Sequence, residues 1–540
     1  MRHLAEAAAA RGIPALRFDY DGTGDSAGQD TDPAREEAWI ESIRIAQSTL
    51  RKVTGVHRVC VFGIRLGASL ALLAAQSVPE ITGAILVNPV TDGRRYLREL
   101  RALAATSAMA EAMAESADQD IQQAAGFITT METRQTIGTL RLAGDSLSTA
   151  PPQVLLLERT DLPTDDGLPN HLRELRTTVT RQTFPGYADM LRDAHETTVP
   201  VDLIQDALDW LQDTASSHHP QPVTTACDTC TFTWSTADAS GSVRERAVCF
   251  GSNSNIFGIV TDDADGPKPL LLLLNSGAVH HVGPNRLYVR IARLMALRGF
   301  RVLRLDLPGL GDSPVPCGKE ENQTYPDWAV ASVGKAVNYA RASLDASEIH
   351  CGGICSGAYY SLKSAVAGQP FKSIVVINPL TFFWKPGMSL AVPAFQDTAE
   401  MMRYRRTALS GASLRKLFSG KVDLINLAGI LTRYSIRRTR HVVRRIGRKL
   451  GVRLQDDLVT ELRNIQSQQT SMHFVFSDSD PGHAMLQESA GAEVSRLQNN
   501  QALTIQLVEH SDHTFTPRLA QEHLLSYLAQ ILSPTSERPS

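Results

Sequence analysis

Short apolar, β-branched runs closed by turn-forming residues recur along the chain, at 84–89, 154–157, 255–260, 270–275, 374–379, 472–476 and 503–508. Runs of this kind, apolar at successive positions instead of alternating, read as strands buried on both faces. Stretches with helical patterning, such as 285–297, lie between them. The resulting βαβα order predicts the α/β class and a doubly wound, mostly parallel sheet.

The pattern occurs twice. Residues 11–26 and 298–313 both read R-G-x-x-x-L-R-x-D-x-x-G-x-G-D-S. The match continues from 63–67 (G-I-R-L-G) to 353–357 (G-I-C-S-G), and from 84–89 to 374–379, both ending in Asn-Pro. Two copies of one fold are therefore expected. The first is assigned to 1–212 and the second to 227–534, joined by a polar, proline-containing linker at 213–226. The second copy carries about 60 residues before its Arg298 motif, including an early hairpin strand at 255–260 and a first central strand at 270–275. The first copy lacks these and reads as N-terminally truncated, which we ascribe to a start assigned too late. Loss of two strands would otherwise leave unpaired backbone and exposed apolar surface.

Composition adds bounds. The chain has 540 residues, 43% hydrophobic and 21% charged, with a net charge of −3. That suits a globular protein of two or more domains and gives no reason to expect a nucleic-acid partner. Seven cysteines, an odd number in a long chain, favour a reducing compartment over a disulfide framework, so a cytoplasmic location is expected. No secretory signal and no membrane-spanning run are read. Cys227 and Cys230 form a lone C-x-x-C, without the second pair or histidines that zinc would need. It is read as two incidental thiols on a surface strand. No metal or other cofactor is called for.

The chemistry is expected at G-x-C-x-G, residues 353–357. Two glycines bracketing a central residue between a strand and a helix mark a sharp turn that presents a strained nucleophile. Cys355 is the candidate. In a frame shifted by one, Ser356 would take that place, but Ile354 would then stand where glycine is needed. In the first copy the centre is Arg65, always protonated and unable to accept an acyl group. That copy is expected to be inactive although Asp161 and His195 stand at corresponding places. Arg65 could pair with Asp161 in a structural salt link, or bind an anion.

These turns and their order resemble the α/β-hydrolase superfamily. The strings 274–286 and 18–26 look like the serine-aminopeptidase-type hydrolases, including those encoded beside exosortase systems and biosynthetic clusters. The resemblance covers most of both halves and implies the order nucleophile, acid, histidine. After the strand at 472–476 it points to Asp480, before Pro481 and Gly482, with Asp478 as the competing acid. After the strand at 503–508 it points to His513, with His510 as competitor. The implied oxyanion donors are the backbone N–H of Ser356 and of Ala278, in the turn after the first central strand. Cysteine in place of the usual serine resembles dienelactone hydrolases and polyhydroxyalkanoate synthases in that one respect.

A cysteine nucleophile gives a thioester intermediate open to water, amines or alcohols. Three functions follow: hydrolysis of an ester or thioester by a Cys-His-Asp triad, acyl transfer by the same triad, or a non-catalytic binding scaffold. The expected substrate is a small-molecule or carrier-bound acyl group. Residues 382–465 lie where this fold inserts a cap, and within them 433–450 reads as a basic amphipathic helix. Such a helix could receive an acyl carrier protein, coenzyme A or a membrane surface, or simply pack on the core with its arginines solvated.

Overall fold

The computed structural model describes residues 1–106, 121–124, 126–163, 165–214, 229–235, 240–251, 255–385, 388 and 455–532. It divides into two compact units, Met1–Ala247 with Val282–Leu297, and Val248–His281 with Arg298–Ser540. The expected basic helix at 433–450, most of the cap stretch and Cys227 lie outside the described residues.

In the first unit, β1 (Val59–Ile64), β2 (Ile81–Val87), β5 (Gln153–Arg159) and β6 (Thr178–Phe184) form a parallel sheet in the order β1-β2-β5-β6. A small antiparallel hairpin joins β3 (Ile121–Ala124) to β4 (Phe127–Thr130), and a second joins β7 (Thr229–Ser235) to β8 (Ser240–Phe250).

In the second unit the sheet runs β15 (Leu503–Val508), β14 (Ser471–Ser477), β13 (Ser373–Ile377), β12 (Ala346–Ile354), β10 (Lys268–Leu274), β11 (Arg301–Asp306), β9 (Ile256–Asp262). These strands pair in parallel except β9, which is antiparallel to β11. Every residue of β11 and β13 is buried; β13 is accordingly an almost unbroken apolar run, whereas in β11 the charged Arg301 and Asp306 are held by partners, Arg301 by Asp262 at 2.9 Å and Asp306 by His281 at 2.7 Å. Helices such as Ala329–Ser343 and Ser356–Val366 contribute Val333, Val337 and Leu362 to the core beside Leu272, Leu274 and Val376.

The two halves match strand for strand from the elbow onward: β1-β2-β5-β6 corresponds to β12-β13-β14-β15 in order and direction. They part before it. Residues 301–306 form β11, whereas the matching stretch at 14–19 is not a strand. β11 is held by β10 on one side and β9 on the other. Among the described residues the first unit has no counterpart of either, and Leu16 and Phe18 are 36% and 41% exposed. An extended segment cannot join a ladder without a neighbour to bond.

Candidate active site

Cys355 stands between the end of β12 and the helix Ser356–Val366, with φ 59° and ψ −115°. That backbone region is costly for a side chain and persists because the surroundings over-determine it. The Cys355 N–H donates to the Ile377 carbonyl at 3.0 Å, and its carbonyl accepts from Tyr359 N at 3.2 Å. The flanking glycines are required by space. A Cβ on Gly353 would lie 2.8 Å from the Gly357 Cα and the Leu274 carbonyl, and one on Gly357 would strike the same carbonyl. At the first position of the helix, the Ser356 N–H has no carbonyl to bond within the helix, and the helix dipole favours negative charge there. Cys355 is the residue immediately before that end.

The Ser356 side chain is buried and engaged, accepting from Gly277 N at 2.9 Å and lying 3.2 Å from the Asn275 carbonyl. Its hydroxyl ties the turn after β10 to the elbow. Ala278, in that turn, is half-buried against the core.

β14 ends at Ser477 and leads to Asp480, which is buried. One carboxylate oxygen accepts from Gly482 N at 2.7 Å, at the start of the helix Gly482–Asn499. A Cβ on Gly482 would lie 2.8 Å from that oxygen, so Asp-Pro-Gly is the sequence this turn needs. The other oxygen lies 2.6 Å from His513 Nδ1. Asp478 is exposed and instead accepts from Ser511 N at 3.4 Å. His510 is exposed at a turn with φ 52°.

The His513 loop is fixed from several sides. Asn378 Nδ2 donates to the His513 carbonyl at 2.9 Å, Ser479 Oγ donates to the Ser511 carbonyl at 2.7 Å, and Thr516 N donates to Asp512 at 2.7 Å. With Nδ1 on Asp480, the covered Nε2 has no hydrogen-bond partner among the described residues. Burial opposes charge on this ring, but the Asp480 hydrogen bond and the sulfur of Cys355 outweigh it and push the imidazole up to about 10.

Burial pushes the thiols of Cys351, in β12, and Cys60, in β1, up to about 12.

Three groups were not foreseen from sequence. Asn275 and Asn378 close β10 and β13. Asn275 Nδ2 donates to Asp306 at 2.9 Å and to the Val279 carbonyl at 3.0 Å, while its Oδ1 accepts from Leu307 N at 2.8 Å. Their signal was an asparagine ending each apolar run. The third is Tyr325, in an aromatic cluster with Tyr359, Tyr360 and Trp384.

His281, Asp306 and Asp312 come close enough to suggest a cation site. Asp306, however, accepts from His281 N and Nδ1 at 2.7 Å each, from Asn275 Nδ2 at 2.9 Å and from Asp312 N at 2.9 Å. These donors fill the carboxylate, which acts as the knot tying the turn after β10 to the turn after β11.

In the first unit the corresponding residues do not converge. Arg65 forms an ion pair with Glu99 and lies under the Tyr96 ring, so the expected Arg65–Asp161 link is incorrect. Asp161 is bound by Arg159 at 2.9 and 2.5 Å, since a neighbour on the same strand end reaches it first. The nearest carboxylate to His195 is Glu196, at 3.8 Å.

Family comparisons agree with this layout. The serine aminopeptidase (S33) model matches residues 1–230, and the alpha/beta hydrolase fold model matches 269–535. The chain is a tandem of two α/β-hydrolase domains. Both belong to hydrolase families, and the protein is an enzyme of that class. No curated protein matches the tandem hydrolase. Similar solved structures include an esterase from Pyrococcus furiosus (12% identity, 53% of this chain and 89% of that one, TM-score 0.32). Others are the ferulic-acid-bound Est1E of Butyrivibrio proteoclasticus (10%, 52% and 96%, 0.30) and a dienelactone hydrolase from Anabaena variabilis (9%, 56% and 97%, 0.31). Among the described residues of the tandem hydrolase, no helix is long and apolar enough to cross a membrane.

Proposed function

We propose that the C-terminal domain hydrolyses an ester or thioester through an acyl-enzyme on Cys355, with His513 moving the proton and Asp480 orienting its ring. The reading is carried by one observation: the 2.6 Å contact between His513 Nδ1 and Asp480, which leaves the covered Nε2 without a partner among the described residues and so open to the nucleophile's proton. The Cys355 thiolate attacks the carbonyl carbon, and the C=O electron pair moves onto oxygen. The N–H groups of Ser356 and Ala278 receive that charge. Collapse of the adduct breaks the bond to the leaving alkoxide or thiolate, which takes the proton from His513 Nε2. Water then attacks the thioester, giving its proton to His513, and the second collapse releases the carboxylic acid and restores the thiolate.

The test is intact-protein and peptide mass spectrometry after mixing with an activated thioester. The acyl mass is expected on the peptide containing Cys355, decaying as free acid appears, and neither event is expected in Cys355→Ala. Label on another residue, or turnover surviving that substitution, would overturn the reading. Adding an amine or alcohol separates hydrolysis from transfer, since transfer yields the amide or new ester in place of the acid.

A further inference from the structure

The turn after β10 carries Ala278, and the bonds around it leave one donor over. Gly277 N donates to Ser356 Oγ at 2.9 Å, Val279 N donates to the Ser276 carbonyl at 3.0 Å, and the Val279 carbonyl accepts from Asn275 Nδ2 at 3.0 Å. The Ala278 N–H between them has no partner among the described residues. The turn lies against the elbow, since a Cβ on Gly357 would strike the Leu274 carbonyl and lie 2.9 Å from that of Asn275.

The exit of the turn is held by His281. Its backbone N–H donates to one oxygen of Asp306 and its ring Nδ1 lies at the other, both at 2.7 Å. A carboxylate only accepts, so Nδ1 is the nitrogen that carries the proton. Both residues are buried, and the ring packs on Phe257 of β9 with centroids 5.3 Å apart. One residue thus grips both oxygens of one carboxylate, which fixes its backbone and its ring together. The first copy shows which part of this knot the turn after β11 can do without. There Asp25 N donates to Asp19 at 2.9 Å, as Asp312 N does to Asp306, and Ser26 Oγ bonds the Asp19 carbonyl as Ser313 Oγ bonds that of Asp306. Asp19 does this with no histidine partner among the described residues. The grip of His281 therefore serves the turn that carries Ala278.

We propose that His281 is a positioning residue: by holding Asp306 through its backbone N–H and its Nδ1, it aims the Ala278 N–H at the acyl oxygen as that oxygen takes up charge. The inference rests on the acyl-enzyme reading above. Donors aimed in advance stabilise the oxyanion without reorganising, whereas a displacement of about 1 Å can cost on the order of 10²-fold in rate. Asn275 closes the same arrangement from the other side, because its Nδ2 reaches both Asp306 and the Val279 carbonyl. The histidine touches neither substrate nor sulfur in this scheme; it acts through the turn alone.

The test sets turnover of an activated thioester beside alkylation of Cys355 by iodoacetamide, in which a C–S bond forms, iodide leaves and no oxyanion develops. His281→Leu keeps the bulk and loses the ring donor. It is expected to lower kcat about 10- to 100-fold, with KM and the alkylation rate each within about twofold of the parent. His281→Asn brings an amide nitrogen to the place of Nδ1 and should restore kcat to within about fivefold of the parent, whereas the longer His281→Gln should not. Should the leucine variant fail to fold, the asparagine and glutamine variants carry the comparison, since they differ only in where the amide nitrogen falls. Equal kcat in the glutamine variant and the parent, an asparagine variant as slow as the glutamine one, a change confined to KM, or turnover and alkylation falling together as in a damaged elbow overturns the proposal. Failure of the underlying reading looks different. Turnover that survives Cys355→Ala removes the acyl-enzyme itself, while turnover that needs Cys355 and ignores His281 removes only this role.

Discussion

The two elbows of this chain share a backbone and differ in chemistry. Arg65 has φ 54° and ψ −123°, Cys355 φ 59° and ψ −115°. Arg65 N donates to the Val87 carbonyl and Cys355 N to the Ile377 carbonyl, both at 3.0 Å. Asn88 and Asn378, at φ 44° and 45°, donate from N to Leu157 and Val475, again at 3.0 Å each. Even the D-x-x-G-x-G-D-S turns agree: Asp25 N donates to Asp19 and Asp312 N to Asp306, both at 2.9 Å. The strained conformation at the elbow is thus imposed by the strand-to-helix turn and is kept whether or not a nucleophile stands there. What distinguishes the second copy is that side chains from two later loops, Asp480 and His513, meet each other, whereas Asp161 and His195 in the first do not.

The largest effect should come from making the second elbow like the first. Cys355→Arg places a permanent cation where the thiolate attacks, so turnover on an activated thioester should fall to background, with thermal stability as the check that the elbow still folds. Cys355→Ala and His513→Ala should each cost at least about 10³-fold in kcat/KM.

Next is the carboxylate. Asp480→Asn removes the hydrogen-bonding charge that orients His513 and should lower kcat by about 10²–10⁴-fold. It should also change the pH profile. In the parent enzyme the imidazolium persists until pH rises through about 10, above which no proton remains for the leaving group and activity falls. Asp480 is among the causes that raise His513, so in Asp480→Asn the alkaline limb should move to lower pH. An unmoved limb would assign it to another group.

A smaller effect separates the two asparagines. Asn378 accepts from Ser477 N at 2.9 Å and donates to the His513 carbonyl at 2.9 Å, whereas Asn88 Nδ2 is covered and has no partner among the described residues. Both have nearly the same positive φ, so backbone strain on replacement by alanine cancels in the comparison. Asn378→Ala should cost about 1–3 kcal/mol in urea unfolding for the bonds lost, and Asn88→Ala less.

What the sequence disclosed follows the physics of each signal. The elbow was legible because G-x-C-x-G encodes a steric demand, and Asp480 was preferred to Asp478 because the following Pro481-Gly482 would fix the turn. His513 was separable from His510 by its place before the final helix. Arg65's partner was not legible. Asp161 is the family position, but Arg159 competes for it at short range, and Glu99 approaches Arg65 only through the packing of the helix Gly93–Thr106. The aromatic cluster of Tyr325 was hidden for a related reason, since no periodicity reports which ring stacks on Trp384. The segment 14–19 shares the sequence of β11 but is not a strand, because among the described residues it has no neighbouring strand to bond.

The smallest expected effect tests whether the first copy retains any latent chemistry. Arg65→Cys recreates G-x-C-x-G on an elbow that already has the right φ and ψ. If elbow geometry sufficed, the new thiol would accept an acyl group. Here Asp161 is held by Arg159, and His195 has Glu196 as its nearest carboxylate, so neither completes a base beside residue 65. Peptide mass spectrometry in a Cys355→Ala background should find no acyl mass at position 65. Stability should change by no more than about 1 kcal/mol, the usual worth of a partly exposed ion pair such as Arg65–Glu99. Acylation there would mean that strain and a helix N-terminus alone activate a thiol in this fold, and the weight placed on His513 and Asp480 would have to be reduced accordingly.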